Sequence, residues 1–322
     1  MQPSSPKLLK IAVSLITTGN RSNLLKAVVS IQALEVPDNT ELFICIIDNS
    51  PDGVVQESNF FETLDPSPIS IKCFHEPQKG IPFARNKAIK MALELEADLL
   101  CFIDDDEFVA ADWLKEIVST WQTYQADLVG GPLFVADAVE GATSWQKFIN
   151  KSLQQRAVRK MRRTAEAAKR GKKYTIVTNN WLCDLRWQKQ NQVWFDEALK
   201  YTGGSDTLFF KEAQKVGCEV AWNENAIVYE VQDVNRLSLR YQFFRAASQS
   251  LNHYNMKNWE PNLFRIAATL GTALLKFLSG ILLFIFPIYG IASLTISIRA
   301  MGWSYGRIQG LLGRISNLYD RS

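Results

Sequence analysis

Along the first 230 residues, short runs of consecutive apolar positions alternate with longer runs in which apolar residues recur at helical spacing. The continuous runs predict buried strands and the periodic runs predict helices. We expect strands over 9–17, 42–47, 70–74, 98–103 and 126–133, and helices over 22–34, 83–96 and 111–124. Continuous apolar strands separated by helices are typical of an α/β fold whose mostly parallel sheet carries helices on both faces.

Polar side chains follow the first four predicted strands. The residues in question are Thr17 and Thr18, then Asp48, then His75 and Glu76, and finally the acids 104–107. Because parallel strands present their carboxyl ends on one edge, these residues are expected to share a rim, where such sheets bind ligands.

The run Cys-Phe-Ile-Asp-Asp-Asp-Glu at 101–107 takes an apolar strand directly into four acids. Adjacent carboxylates repel one another and are costly to desolvate. A divalent cation explains them, since Mg²⁺ and Mn²⁺ prefer hard oxygen ligands and often complete their shell with substrate phosphates. The alternative is a polar turn in which Asp106 or Glu107 lies near the start of the next helix.

The net charge of +3 hides a strongly basic segment. Residues 147–173 hold eleven Lys or Arg and one acid, Glu166, which is a net charge of +10. Phe148 is the aromatic residue in this segment, and base-stacking surfaces need aromatics interleaved with the charge, so we expect no nucleic-acid partner. The segment is either a solvated helix, a loop disordered without ligand, or a contact for an anionic membrane or phosphate-bearing lipid.

The C-terminal part, 251–322, has a different composition. Residues 263–298 are almost wholly apolar, and 277–298 form a stretch of 22 residues without charge, long enough to span a bilayer. A helical hairpin bent near Gly280 or Pro287 would either span the membrane or lie in its interface. We therefore predict a catalytic domain over 1–250 and a membrane-associated helical region over 251–322.

Two features favour the cytoplasmic face of a membrane. The tail after 298 carries Arg299, Arg307, Arg314 and Arg321 against one acid, Asp320, which the positive-inside tendency would keep in the cytoplasm. The five cysteines are scattered, mostly in apolar runs, and form no Cys-x-x-Cys pair. Such usage is typical of buried thiols in a reducing compartment.

Five short motifs occur together in a characteristic order. They are Val-Ser-Leu-Ile-Thr-Thr at 13–18, Ile-Asp-Asn-Ser at 47–50, Gly-Ile-Pro-Phe-Ala-Arg-Asn at 80–86, Phe-Ile-Asp-Asp-Asp at 102–106 and Gly-Gly-Ser-Asp at 203–206. Together, over roughly 9–250, they resemble glycosyltransferase family 2, and the second half of the third motif and the acids look most like its succinoglycan-type exopolysaccharide glucosyltransferases. The resemblance implies a Rossmann-like GT-A fold, a nucleotide-diphosphate sugar donor, a divalent metal (Mn²⁺ or Mg²⁺) and inversion at the anomeric carbon.

The resemblance also implies roles for residues at the donor site. Thr17 and Asp48 would border the nucleoside, although Asp48 can equally form an Asx-turn into the loop after it. Arg85 would reach the nucleotide or diphosphate, and its alternative is a surface ion pair. Asp104 and Asp106 face the same side, so one would meet the ribose and the other the metal, with Asp106 the preferred direct ligand and Asp105 structural.

Two further positions complete the implied donor site. Glu230 stands where many relatives carry a histidine that completes the metal shell, so it would supply an oxygen there. Arg245 matches the family's basic residue near the diphosphate. Trp181 and Trp187 either stack on an acceptor sugar or pack in the core.

Asp206 is the expected catalytic base. It follows Gly203 and Gly204 at the start of a predicted helix over 207–216, where a carboxylate can take the proton of an acceptor hydroxyl. From local sequence alone, Ser205 or Asp206 would merely cap that helix. The family usually places an acid before this Asp, and here the residue is Ser205.

Two rival functions stay open. A nucleotidyltransferase also uses a parallel sheet and a carboxylate-bound metal, but the loop at 16–21 is poor in glycine for its phosphate loop. A catalytically inactive membrane-bound scaffold is the other. The chain lacks the Gln-x-x-Arg-Trp signal of processive synthases. We therefore predict transfer of one sugar, from a UDP-sugar, to a saccharide or lipid-linked saccharide in exopolysaccharide or cell-envelope synthesis on the cytoplasmic face of a bacterial inner membrane.

Overall fold

The computed structural model describes residues 8–55, 59–176, 178–200, 203–256 and 262–314. The chain forms two compact units. The first comprises Met1–Phe134, Met161–Lys200 and Ser205–Glu230, and the second comprises Val135–Lys160, Tyr201–Gly204 and Val231–Ser322. These bounds differ from the predicted division at residue 250, which stays a prediction about function.

The described strands are β1 Leu9–Thr17, β2 Thr40–Asp48, β3 Ser70–His75, β4 Leu99–Asp104, β5 Glu107–Val109, β6 Leu128–Gly130, β7 Leu133–Val135, β8 Trp181–Asp184, β9 Val220–Trp222 and β10 Val228–Glu230. The central sheet has the order β3-β2-β1-β4-β8-β6-β9, and a small sheet has the order β5-β10-β7. In the central sheet β8 runs antiparallel to β4 and β6, while the other pairs are parallel. The predicted mostly parallel α/β sheet is confirmed.

The described α-helices are α1 Arg21–Gln32, α2 Ile81–Glu94, α3 Trp113–Tyr124, α4 Ser144–Lys169, α5 Leu185–Asn191, α6 Ser205–Lys215, α7 Leu239–Asn255, α8 Leu263–Ile285 and α9 Ala292–Leu311. Alternate residues of β1 enter two separate cores, as strand geometry requires. Ile11 and Val13 pack with apolar residues of α1 and α3, while Ala12 packs with those of α2 and α6. Helices therefore cover both faces of the sheet.

The strand predicted over 126–133 is wrong as a single element. It divides at Gly131 and Pro132 into β6 and β7, which belong to different sheets. Proline has no N–H for a ladder. A Cβ on Gly131 would collide with the carbonyl of Ala226 and would lie 2.8 Å from Nδ2 of Asn180. The close crossing of these backbones requires glycine at the division.

Most of the basic segment lies in one long helix, α4, so it is not a loop, while the predicted contact with an anionic membrane or lipid stays a prediction. The buried hydrophobic residues of α4 recur every four positions, at Ile149, Leu153, Ala157, Met161 and Ala165. This spacing gives one apolar stripe on an otherwise polar helix. The stripe holds the helix in place and leaves most of its charge in water.

The stretch 277–298 is not one helix, and its break agrees with the predicted hairpin bent near Pro287. Helix α8 ends at Ile285, Pro287 lies in the following turn, and α9 begins at Ala292. Proline cannot continue a helix, since it lacks the N–H and its ring clashes with the preceding turn. Among the described residues, α8 is the helix long and apolar enough to cross a membrane.

Much of the basic tail belongs to α9, and its predicted place on the cytoplasmic side stays a prediction. The guanidinium of Arg299 donates to the side-chain oxygens of Gln242 and Gln249 on α7 at 2.9 and 2.7 Å. Arg307 is buried, with its guanidinium 4.6 Å from the ring centroid of Trp303. These two arginines hold helices together, while Asp320 and Arg321 lie outside the described residues.

Candidate active site

The carboxyl ends of β1, β2 and β4 bring three predicted site residues to one edge of the sheet. Thr17 pairs in register with Asp48, and the residue before it, Ile16, pairs with Asp104. The shared rim expected from the strand pattern is therefore present. Thr17 and Asp48 are buried, whereas the side chain of Asp104 keeps 35% of its surface exposed.

The acidic run forms a tight cluster just beyond β4. Asp104, Asp106 and Glu107 each offer a carboxylate oxygen, and these atoms lie within 4.8 Å of one another. Glu107 is buried in β5, and its carboxylate accepts hydrogen bonds from the backbone N–H of Asp104 at 2.7 Å and from Nδ2 of Asn179 at 2.9 Å. The alternative in which Glu107 begins a helix is wrong, because the residue begins a strand.

Glu230 adds a further carboxylate to this region. It lies on β10 directly opposite Glu107 on β5 in antiparallel register. Its negative charge contributes to the raised pKa values of Asp104 and Glu107. Glu230 thus lies next to Glu107 of the acidic cluster, and its place in a metal shell stays a prediction.

The electrostatics of the cluster favour a bound cation. Burial, together with the charges of Asp106, Asp105 and Glu230, raises the pKa of Asp104 to about 7, against the opposing effect of Arg85. Burial and the neighbouring acids also raise the pKa of Glu107 well above its usual range. Because a third of the Asp104 side chain reaches water, solvent screening tempers this repulsion. Ionising several of these groups together needs a counter-charge.

Arg85 supplies positive charge beside the acids. It is buried in α2, with Nη2 at 3.7 Å from Oδ1 of Asp104 and its guanidinium carbon 5.5 Å from the ring centroid of Phe195. Its Nε is buried without a hydrogen-bond partner among the described residues. A buried guanidinium N–H in this state retains the capacity to bind an anion. The alternative of a surface ion pair is wrong, since the residue is buried.

Thr17 and Asp105 fix the loop that carries the acids. The hydroxyl of Thr17 donates to Oδ2 of Asp105 at 2.6 Å and accepts from the N–H of Gly19 at 3.1 Å. This bond turns Asp105 toward β1, consistent with its expected structural role. Thr17 therefore links the end of β1 to the acidic loop.

Asp48 organises its own loop. Its carboxylate accepts the N–H and the hydroxyl of Ser50 at 3.0 and 2.6 Å and the N–H of Val55 at 2.7 Å. His75 adds a contact to the same loop, with Nε2 at 2.9 Å from the carbonyl oxygen of Ser50. The Asx-turn that the sequence left open is thus present. It shapes the wall of the rim next to Thr17.

Asn49 joins this loop to the start of α2. Its Nδ2 donates to the carbonyls of Glu76 and Gln78, both at 2.8 Å, and its Oδ1 accepts the N–H of Gly80 at 2.9 Å. Gly80 has a φ of 142° and lies so close to Lys200 that a Cβ would come within 2.8 Å of the Lys200 Cβ. The hydrogen bonds of Asn49 therefore position the first turn of α2, and with it Arg85.

Asp206 lies in the first turn of α6, after Gly203 and Gly204, whose φ values are 74° and 92°. Its Oδ1 accepts the N–H of Thr207 at 2.8 Å. One turn further, the ring of Phe209 stacks on Phe195 with centroids 4.4 Å apart, and Phe195 is the ring beneath Arg85. This packing connects the helix of Asp206 with the residues around the acidic cluster.

The two tryptophans considered for acceptor stacking are core residues. Trp181 is 2% exposed and packs edge-on against Phe209, with centroids 5.1 Å apart. Trp187 is 6% exposed and belongs to the same core. Arg245 lies on α7 in the second unit, where Nη1 donates to the hydroxyl of Tyr241 at 3.0 Å.

Sequence reasoning missed two positioning amides. Asn49 stands inside a recognised motif but was not singled out, and Asn179 comes from a segment without a motif. Their roles are visible only in the folded chain, where Asn49 forms hydrogen bonds with the 76–80 loop and Asn179 donates a hydrogen bond to Glu107.

The donor set fits a hard divalent cation. The ligands on offer are carboxylate oxygens, which Mg²⁺ and Mn²⁺ prefer, and the described residues bring no cysteine or histidine into the cluster. The raised pKa values of Asp104 and Glu107 are the expected result of assembling such oxygens without the cation. Asp104, Asp106 and Glu107, with Glu230 adjacent, are the residues that would hold it.

Comparison with known proteins agrees with this geometry. The chain is 29% identical over 229 residues to succinoglycan biosynthesis protein ExoM of Rhizobium meliloti (strain 1021), covering 70% of this chain and 68% of that protein. The mannosyltransferase PcManGT of Pyrobaculum calidifontis, solved with GDP-Man and Mn²⁺, superimposes with a TM-score of 0.59 at 15% identity, covering 94% of this chain and 87% of that one.

A second solved structure is S. aureus TarS 1-349 in complex with UDP-GlcNAc, with a TM-score of 0.52 at 13% identity, covering 95% of this chain and 93% of that one. Our chain spans 40% of a longer TarS structure. These structural likenesses show that the fold is GT-A-like. The sequence model of Glycosyl transferase family 2 matches residues 14–186, more than half of the chain. The resemblance seen in the motifs is confirmed, and the chain belongs to glycosyl transferase family 2.

Proposed function

We propose that this glycosyltransferase moves one sugar, with inversion, from a nucleotide-diphosphate sugar to a saccharide or lipid-linked saccharide, using Mn²⁺ or Mg²⁺. The observation that carries the proposal is the convergence of Asp104, Asp106 and Glu107 within 4.8 Å, beside the buried guanidinium of Arg85. Three carboxylates suit a divalent metal ion, and the buried guanidinium of Arg85 suits a diphosphate. Their presence at one rim of the sheet therefore fits a metal ion bound together with a diphosphate better than it fits a metal ion or a diphosphate alone.

The donor contacts are inferred from the family pattern, and the rim geometry supports those of Thr17, Arg85 and the acids. The loop after Asp48, braced by Ser50 and His75, borders the nucleoside together with Thr17. Asp104 meets the ribose side and Asp106 the metal, while Arg85 directs its guanidinium to the diphosphate. Glu230 would supply an oxygen to the metal shell where many relatives have a histidine, and Arg245 stays the residue that the sequence pattern predicts near the diphosphate. A bound divalent cation supplies positive charge that stabilises the departing nucleoside diphosphate.

Asp206 is the proposed general base. As the acceptor oxygen bonds to the anomeric carbon, its proton passes to the Asp206 carboxylate and the bond from that carbon to the diphosphate oxygen breaks, so the configuration inverts. The hydrogen bond from Thr207 to Oδ1 fixes the rotation of the carboxylate. The two glycines before it give an acceptor sugar close access to the backbone.

The donor nucleotide is proposed to be UDP, and the pathway exopolysaccharide or cell-envelope synthesis on the cytoplasmic face of a bacterial inner membrane. Support for UDP comes from a structural neighbour solved with UDP-GlcNAc, and support for the pathway comes from the likeness to succinoglycan biosynthesis protein ExoM. The exposed apolar helix α8 supports membrane association. GDP is the main competitor, because another neighbour binds GDP-Man.

Calorimetry of UDP, GDP and dTDP binding with and without Mn²⁺ tests the proposal. We expect Mn²⁺-dependent binding of UDP, lost in Asp106→Ala and kept in Asp112→Ala. Asp112 is an exposed acid six residues further along the chain, so this control removes a carboxylate without touching the cluster. Metal-independent binding of UDP would contradict the proposed metal site. Selective binding of GDP or dTDP would contradict UDP as the nucleotide of the donor.

A further inference from the structure

Helix α8 leaves most of its apolar side chains uncovered. Six of them, Leu270, Leu274, Leu275, Leu278, Leu282 and Ile285, are each between 45% and 69% exposed. Its buried residues are few and fall on one line, at Thr269, Ala273 and Gly280. The helix therefore touches its own unit along a narrow seam and presents the rest of its circumference outward.

The outward surface is not uniformly apolar. At about 100° per residue, Arg265, Thr272, Lys276 and Ser279 fall within one narrow sector beside the buried seam. The six exposed apolar side chains named above occupy the remaining, wider sector, while Leu283 falls within the polar sector. A helix with one apolar face and one polar stripe carrying cations is typical of a segment that lies in a membrane interface.

The seam joins α8 to α9, which in turn packs on α7. A Cβ on Gly280 would come within 3.0 Å of the Ser297 carbonyl oxygen. Glycines of α9 pack directly on the backbone of α7, with Gly302 against Phe243 and Gly306 against Ala247. From the first pair to the second, the residue number increases by four on both helices, so α7 and α9 run in the same direction along their contact.

The carboxyl end of α8 is tied to a polar helix. In the turn after α8, Tyr289 has the guanidinium carbon of Arg159 at 3.8 Å from its ring centroid. The hydroxyl of Ser152 donates to the carbonyl of Ile291 at 2.8 Å, and the N–H of Ala292 donates to Gln155 Oε1 at 3.2 Å. Ser152, Gln155 and Arg159 all belong to α4.

These ties exclude a spanning arrangement with the unit intact. A crossing α8, alone or as a hairpin with α9, would carry the attached parts of α4 and α7 into the hydrocarbon. Those helices include Arg159 on α4 and Arg240 and Arg245 on α7. Charged residues are costly to place in the hydrocarbon core of a bilayer.

We propose that α8 lies in the plane of an anionic membrane surface, with its leucine face among the acyl chains and Arg265 and Lys276 at the lipid phosphates. The inference rests on the proposed membrane association and specifies its geometry. The charge on the polar stripe is complementary to anionic headgroups, each contact contributing a few-fold in affinity. The membrane holds the enzyme without a transmembrane segment.

Cysteine labelling in membranes from producing cells tests the geometry. Single cysteines replace Thr272 and Ser279 on the polar stripe and Leu274 and Leu278 on the apolar face, in a background where the partly exposed Cys73 and Cys218 are serine. An in-plane helix predicts that a membrane-impermeant maleimide labels Thr272→Cys and Ser279→Cys and not the two leucine positions. Protection of all four in membrane-bound protein would overturn the in-plane geometry while leaving membrane association standing.

Vesicle sedimentation separates this outcome from failure of membrane association itself. We expect binding to vesicles with anionic lipid and at least tenfold weaker binding of the double variant Leu275→Glu/Leu282→Glu. Lys189→Glu changes the net charge equally on an exposed residue of α5 and is expected to bind as the wild type does. Protein that stays in solution with every vesicle would overturn both proposals. If such protein eluted as a dimer in size-exclusion chromatography, the leucine face would instead be the contact with a second copy of the chain.

Discussion

Nη2 of Arg85 lies 3.7 Å from Oδ1 of Asp104, and this pair is the meeting point of α2 and β4 at the rim of the sheet. The distance is too long for a strong hydrogen bond, so the pair is held by charge and by the packing of Arg85 on Phe195. The arginine lowers the pKa of Asp104, yet burial and the neighbouring acids outweigh it. The guanidinium therefore offsets only part of the negative charge of the cluster.

Replacing Arg85 tests its proposed contact with the diphosphate. Arg85→Gln keeps a polar side chain but removes the charge, and we expect UDP affinity to fall about 10- to 100-fold, within the range of a lost charge-assisted hydrogen bond. Calorimetry with saturating Mn²⁺ measures the effect. Lys90→Gln, an exposed position on the same helix, is the control and is expected to bind as the wild type does. Equal losses in both variants would mean that general charge, not the site, binds UDP.

The pKa of Asp104 predicts how metal affinity depends on pH. Its pKa is raised to about 7 in the metal-free protein, so below this pH a proton competes with the cation for the carboxylate. We expect the affinity for Mn²⁺ to rise from pH 5.5 to pH 8, steeply below pH 7 and little above it. Titration of Mn²⁺ at several pH values measures this. The Asp104→Asn variant should bind Mn²⁺ more weakly, and its affinity should depend less on pH near 7. An unchanged pH profile in this variant would mean that Asp104 is not the group whose protonation competes with Mn²⁺.

The base is tested by separating binding from transfer. Asp206→Asn retains the size and polarity of the side chain but cannot accept the acceptor proton, so kcat is expected to fall by about 10²- to 10⁴-fold while UDP binding stays unchanged. Glu212→Gln, on the same helix, is the matched control. Transfer at the wild-type rate in Asp206→Asn would exclude this carboxylate as the base.

Much of the sheet could be predicted because its strands are uniformly apolar. The pattern predicted β1 with the observed bounds and placed β2, β3 and β4 within about two residues. The prediction failed at 126–133, where Gly131 and Pro132 interrupt an apolar run that still looks continuous by hydrophobicity. Hydrophobic pattern records burial but not a change of sheet.

The candidate site was predictable where chemistry is local and not where contacts are distant. Asp104 and Asp106 can be recognised in the sequence because they belong to a run of acids directly after a strand. The position of the Glu107 carboxylate, by contrast, depends on a hydrogen bond from Asn179, 72 positions away. Likewise, the apolar helix α8 could be found from its composition, but the proposed in-plane orientation depends on Ser152, Gln155 and Arg159 of a different helix. Long-range pairings of this kind leave no periodic signal in the sequence.

The glycines of α9 give a test of the helix packing that underlies the in-plane geometry. A Cβ on Gly306 would lie 3.0 Å from the Ala247 Cα and nearer still to its carbonyl, so Gly306→Val must force α7 and α9 apart. Overpacking of this kind typically costs about 1–3 kcal/mol, or more where backbone must move. Gly271→Ala is the matched control, because that helical glycine of α8 has open space around it, and it is expected to be neutral or stabilising by about 0.5–1 kcal/mol. Urea unfolding of both variants in detergent measures the difference, and equal stability of Gly306→Val and wild type would mean that α9 does not pack on α7.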